Sequence, residues 1–285
     1  MDRPALTMCA VNARGHTGSV RKILDHAHRF TGIGWDVMIV ATKVDTEALE
    51  RDGIAYRRLP RPWFGGEARR RERFRVRAEA VAARRPGLAI GHGDIRSQDV
   101  LHLHNCVHRT HEVLHGTAMP ADDPLGRMHA AMLGGGAFRL LMANSHLMKG
   151  DVSERFSIDP EKIVVIHPSY DPATFDAARR DALRPGIREE LGLPMSAPVV
   201  GIITSGSFRK RGVDVFFRAI RGLPRALRDD LHVVVAGAER RLAPYAALAD
   251  EAGVGARTQF LAPVSYTHLT LPTNTVTWGC GGGGG

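Results

Sequence analysis

Apolar positions in this chain fall in short unbroken runs, separated by stretches where they recur every three or four residues; the pattern predicts strands and helices in alternation. Residues 5–11, ALTMCAV, make a run of strand length, and NARGHTG after them is rich in turn formers. Val20, Ile23, Leu24, Ala27 and Phe30 then recur at helical spacing, with Ser19 as the expected N-cap and Gly32 and Gly34 as the stop. Residues 35–42, WDVMIVAT, are the next strand. Their continuous apolar character suits a parallel strand covered on both faces.

The rhythm continues with strands expected over residues 53–59, 99–105, 138–145 and 162–168, and with helices from Glu67 to Arg85 and over 147–156. A stretch rich in Pro, Ala and Arg, residues 168–198, reads as the passage between domains. A second unit follows: a strand at 199–205, a helix with Val213, Phe216, Phe217 and Ile220 on its apolar face, a strand at 231–237 and a helix at 242–252. A further strand begins at Thr258. The expected fold class is α/β, with two doubly wound Rossmann-like domains: residues 1–192, and an incomplete second domain over 193–263.

Residues 264–285, VSYTHLTLPTNTVTWGCGGGGG, break the pattern. They contain no Arg, Lys, Asp, Glu or Ala, although a chain that is 24% charged should place about five charges there. VSYTHLTLPT resembles one reading frame of a sequencing-library transposon adapter, and the Gly run resembles translated poly-G. The expectation is a non-native tail, with authentic sequence ending near Pro263 and the gene cut short.

Composition narrows the possibilities. The chain is 44% hydrophobic, enough for a real core, and its net charge of +9 favours anionic partners. Only five of the 39 basic residues are Lys, a bias that a GC-rich genome produces unaided, so charge is a weak argument for nucleic acid. Cys9, Cys106 and Cys280 form no CxxC pair, which excludes a disulfide framework or zinc ribbon and suggests a reducing compartment. No apolar run reaches the roughly 18 residues of a membrane span, and the first residues lack the core of a signal peptide. A cytoplasmic protein is expected.

Candidate chemistry centres on SGSFRKRGVD, where Arg209, Lys210 and Arg211 sit between a strand and a helix. In open α/β sheets that place holds ligands, because the following helix offers free N–H groups and the positive end of its dipole. A diphosphate would relieve the mutual repulsion of three cations; a merely solvated basic loop is the plainer explanation. GHTG, residues 15–18, occupies the equivalent place in the first unit but is not a full GxGxxG fingerprint. Two further features compete for attention. His104, His108, His111 and His115, within the run from His102 to His115, would share one face if helical, yet no Cys or carboxylate cluster accompanies them. No metal is expected, and one functional histidine is. The helix from Glu67 to Arg85 has a narrow stripe of Phe74, Ala78 and Val81 and could lie on an anionic membrane, or simply be solvated.

Four stretches resemble retaining GT-B glycosyltransferases of family 4, especially lipopolysaccharide-core sugar transferases. They are HTGSVRKILDHAHRFTGIGWDV, DVLHLHN, ANSHLMKGDVSERFSIDPEKIVVIHPSYDPATF, and GSFRKRGVDVFFRAIRGLP with HVVVAGAER. The resemblance implies sugar transfer from a nucleotide-diphosphate donor to a glycan or glycolipid of the cell envelope, without a cofactor or metal. It implies that Arg209, Lys210 and Arg211 grip the diphosphate, that Thr17 and Gly18 form the loop approaching it from the other domain, and that Gly237 belongs to the loop after the second donor-domain strand. His104 matches the histidine that contacts the donor sugar. Thr17 replaces the family's usual first Gly, and Ser169 and Tyr170 replace its Asn-Gly pair. The family's Glu pair would lie beyond Pro263, so this chain is expected to be inactive. Two other classes stay open: a non-catalytic phosphate-binding module, and a basic peripheral membrane or nucleic-acid binder, nucleic acid being the weaker use of the charge for lack of aromatic interleaving.

Overall fold

The computed structural model describes residues 3–15, 17–61, 65–170, 172, 176–204 and 206–261. His16, Ser205 and the tail at 264–285 lie outside the described residues. The chain divides into two compact units at Pro168/Ser169.

The first unit holds strands β1 (Ala5–Cys9), β2 (Asn12–Ala13), β3 (Asp36–Ala41), β4 (Lys43–Val44), β5 (Ala55–Arg58), β6 (Leu88–Gly91), β7 (Val100–His102), β8 (Leu140–Ala143) and β9 (Ile163–Val165). Seven of them make one parallel sheet in the order β5-β3-β1-β6-β7-β8-β9, and β2 and β4 pair separately. Its helices are α1 (Gly18–Gly32), α2 (Thr46–Arg51), α3 (Glu67–Ala83), α4 (Val107–His115), α5 (Pro124–Gly134) and α6 (His146–Phe156).

The continuous apolar runs are explained by cover on both faces. Leu6, Met8 and Ile39 pack with Ile23 and Ala27 of α1, whereas the intervening Cys9 and Val40 pack with Phe74 and Ala78 of α3. A third cluster joins Leu101, Leu141 and Ala143 to Met132 of α5 and Met148 of α6. The chain runs outward from β1 through β3 to β5 and returns to β6, so the order of strands reverses between β1 and β6. Ligands of such sheets gather at that switch point, outside the carboxyl ends of the strands.

Several expectations need adjustment. Thr17, not Ser19, caps α1, its hydroxyl accepting from Val20 N–H, because the helix begins at Gly18. β6 and α5 were not anticipated: LAIG is too short a run to stand out between two glycines. The passage at 168–198 contains a helix, α7 (Ala177–Glu190), despite Pro185 inside it. Its Ala, Arg, Leu and Glu residues favour helix strongly enough to absorb one lost backbone bond. Its carboxyl end is tied to the second unit, since Gln259 donates to the Leu191 carbonyl at 2.6 Å. The change of unit therefore falls at residue 168, where the sequence reading put it at 192.

The second unit carries β10 (Val199–Ile203), β11 (His232–Ala236) and β12 (Thr258–Leu261), parallel and in that order, with α8 (Val213–Arg221), α9 (Arg225–Arg228) and α10 (Ala243–Glu251). Val213, Phe217 and Ile220 of α8 are buried with Val233 and Val235, as the helical spacing predicted, and Phe216 is partly buried.

Candidate functional site

In the second unit, the basic segment leaves the carboxyl end of β10 and turns into α8. Its apolar residue, Phe208, is fully buried and meets Tyr245 edge-on with ring centroids 5.1 Å apart. Arg209, Lys210 and Arg211 are exposed. One buried ring thus fixes the loop while the cations face solvent. Gly212, with φ +73, lets the chain turn into α8 in the left-handed region that other residues avoid.

A second loop holds the first in place. Glu239, which follows β11, accepts from Phe208 N–H at 3.3 Å and from the N–H groups of Arg240 and Arg241. These backbone donors hold its carboxyl below the usual carboxylate range. Gly237 lies between the two loops, and a Cβ there would come within 2.6 Å of the Phe208 ring and 2.8 Å of the Thr204 carbonyl. Glu239 and the steric role of Gly237 are invisible in the sequence, because they depend on two loops separated by two helices and a strand.

In the first unit, Gly18 opens α1 after β1, and a Cβ on it would meet nothing within 4 Å. The amino end of α1 is thus approachable by a ligand, with Thr17 already supplying one cap.

The carboxyl ends of β6 and β7 hold a histidine cluster. His92 follows β6, His102 ends β7, and His104 lies two residues further on. His92 Nδ1 and His104 Nε2 are 3.0 Å apart, the His102 and His104 rings are 4.3 Å apart by centroid, and His26 of α1 stacks on His102 at 5.3 Å. Burial, reinforced by Lys22 and His26, pulls His104 down to about 4. Burial and the neighbouring His104 and His26 take His102 to about 2, and burial lowers His92 as well. All three rings are therefore neutral near pH 7, beside the positive charge of Lys22.

His104 stands apart from the histidines that sequence spacing grouped with it. It lies before α4, so the shared helical face does not exist. His108 turns toward His129 and Phe156, while His111 and His115 pair with each other. His26 and His92 were missed by the sequence reading; only the sheet order brings them beside His102. The basic helix also needs correction: Phe74 and Ala78 are buried in the protein's own core and Val81 packs beside them. Arg71 and Arg75 engage Glu67, Asp94, Glu72 and Glu79, and Arg85 is tied to Asp36. Among the described residues no helix is long and apolar enough to cross a membrane.

No family model matches the chain. It is similar to D-inositol 3-phosphate glycosyltransferase of Salinispora tropica, 33% identical over 140 residues, which are 45% of this chain and 29% of that protein. The enzyme of the same name from Xylanimonas cellulosilytica is 31% identical over 179 residues, 59% of this chain and 41% of that one. The matched segments thus span less than half the length of these relatives. Among solved structures, WaaG, a glycosyltransferase involved in lipopolysaccharide biosynthesis, superposes with a TM-score of 0.71 at 16% identity, covering 92% of this chain and 71% of that one. Anabaena Alr3699/HepE, solved with UDP and glucose, gives 0.64 at 14% identity, over 95% of this chain and 71% of that one. By sequence the chain is similar over part of its length to the D-inositol 3-phosphate glycosyltransferases, and its parallel-sheet fold matches that of GT-B glycosyltransferase structures.

Proposed function

We propose that the protein transfers a sugar, with retention, from a nucleotide-diphosphate donor to a glycan or glycolipid acceptor of the cell envelope. The observation that carries this reading is the presentation of Arg209, Lys210 and Arg211 on a loop anchored by Phe208 and Glu239. Glycosyl transfer leaves a diphosphate, so negative charge grows on its oxygens in the transition state. Cations already held in position stabilise that charge without reorganising. Gly18, with nothing within 4 Å of where its Cβ would stand, leaves the amino end of α1 suited to close approach of an anionic group.

His104 has a role that its neutrality defines. A neutral imidazole engaged through Nε2 with His92 retains Nδ1 to hydrogen-bond a sugar hydroxyl. It is not a proton donor near pH 7. The transfer is drawn with no cofactor or metal, the nucleotide sugar being substrate. A groove of about 610 Å³ in the first unit, lined by Arg71, Asp94, Arg96, Arg127, Met128 and Met132, mixes charge and apolar surface as an acceptor glycan or glycolipid requires. Contact with an anionic membrane through the helix from Glu67 to Arg85 could only be electrostatic, since its apolar stripe is spent on the core. A cytoplasmic location and the absence of nucleic-acid partners complete the reading.

Calorimetric titration with UDP and GDP, set beside titration with duplex DNA, tests it. Micromolar nucleotide binding that the triple substitution of Arg209, Lys210 and Arg211 by Ala abolishes supports the proposal. Tighter binding to DNA, falling steeply with salt, would replace it with the nucleic-acid reading. Product anomeric configuration, followed by NMR with a turnover-competent protein, tests retention.

A further inference from the structure

The histidines at the ends of β6 and β7 are closer together than packing alone requires. His92, His102 and His104 each offer a ring nitrogen, and these three atoms lie within 4.8 Å of one another. Zn–N bonds of about 2.0–2.1 Å in tetrahedral array separate donor nitrogens by roughly 3.3–3.4 Å. One pair, His92 Nδ1 and His104 Nε2, lies 3.0 Å apart, close to that value.

A second observation points the same way. His102 Nδ1 is buried and has no hydrogen-bond partner. Buried polar atoms are almost always satisfied, and an orphan within such a cluster signals a missing group. The His92–His104 contact can share only one proton, and an ion between the rings would replace it while that proton moves to the far nitrogen of its ring.

We infer that His92, His102 and His104 form a three-imidazole site for a divalent transition-metal ion such as Zn²⁺, its fourth position open to water or an anion. Imidazole nitrogens suit Zn²⁺, Co²⁺, Ni²⁺ and Cu²⁺; with no carboxylate in the set, Mg²⁺ and Ca²⁺ are poor fits. Three neutral ligands leave the ion's charge uncompensated, and Lys22 adds to it from nearby. An anion or hydroxide at the open position restores balance. This site differs from the His104–His115 face considered from sequence spacing, and departs from the expectation that no metal binds.

An occupied site would pin the carboxyl ends of β6 and β7 together and withhold His104 from a sugar. That consequence rests on the transferase reading; the metal site itself does not. The geometry also names its chief competitor, the half-buried His111 and exposed His115 on successive turns of α4, whose rings are 4.4 Å apart.

The test uses the untagged, metal-stripped chain titrated with CoCl₂, read by visible d–d absorption. Zn²⁺ affinity then follows from competition with a chromophoric chelator. One ion per chain is expected, with affinity at least about tenfold weaker in His92→Gln and in His102→Gln and unchanged in His111→Gln. X-ray absorption of the Zn-loaded wild type should show three imidazole nitrogens, which decides the matter even if the buried variants fold poorly. Failure to bind at micromolar ion, fewer than three imidazoles, or loss of binding in His111→Gln would overturn the inference. UDP titration of the same samples reports the transferase reading separately.

Discussion

Gly237 and Phe208 meet so closely that the ring stands where a side chain on residue 237 would begin. This contact brings the loop after β11 against the loop that carries the three cations. It makes a glycine at position 237 a steric requirement, since its φ lies outside the left-handed region.

Gly237→Ala should therefore lower the stability of the second unit by about 1–3 kcal/mol, the usual cost of overpacking. Nucleotide affinity should fall with it, because Phe208 cannot shift without moving Arg209. Thermal melting and UDP titration measure the two effects; an unchanged melting temperature would show that the loops are looser than the contact implies.

Gly18→Ala should behave in the opposite way. With nothing near the new methyl group, and Ala the better helix former, the melting temperature should hold or rise slightly. Nucleotide binding or turnover should weaken if the diphosphate approaches this helix end. Unaltered turnover in a turnover-competent protein would remove Gly18 from the site.

Single substitutions of Arg209, Lys210 and Arg211 by Ala should separate the cations that touch phosphate from those that only add to the field. Losing a charge-assisted hydrogen bond costs about 1.5–3 kcal/mol, roughly tenfold or more in affinity. A cation acting only through the field should have a smaller effect that vanishes as salt is raised. Equal, salt-insensitive losses at all three positions would contradict the distinction.

Acid should destabilise the first unit through its buried histidines. His104 and His129 are both lowered to about 4, from an ordinary value near 6.5, chiefly by burial. Between pH 6.5 and 4 the unfolded chain binds protons that these rings in the folded chain do not. Stability is then full above about 6.5 and falls as pH drops toward 4, each ring contributing up to about 1.4 kcal/mol per pH unit in that window. Denaturant unfolding at a series of pH values would show this slope, and His129→Gln should reduce it provided the variant folds. In a turnover-competent protein, activity limited by His104 should be level from pH 6 to 8, since the ring stays neutral throughout.

Much of the order of strands and helices could be read from the apolar periodicity, as could the buried face of α8, and the candidate phosphate loop at Arg209–Arg211 from its run of charge. These are local properties: a period of two or 3.6, a turn former or a run of like charge is complete within a few residues. The helix of α7 was obscured by one proline, and the short strand β6 by its flanking glycines. The membrane-facing stripe read on α3 shows the limit of periodicity. A spacing identifies an apolar face but not what covers it, and here the cover is Cys9, Val40 and Ile95 of the protein itself. Gly237 was legible as a candidate, but the Phe208 ring that excludes every larger residue was not. Nor could the sequence place His26 and His92 beside His102, because adjacency in a parallel sheet is set by strand order, and β6 returns to lie beside β1 only after the chain has gone out to β5.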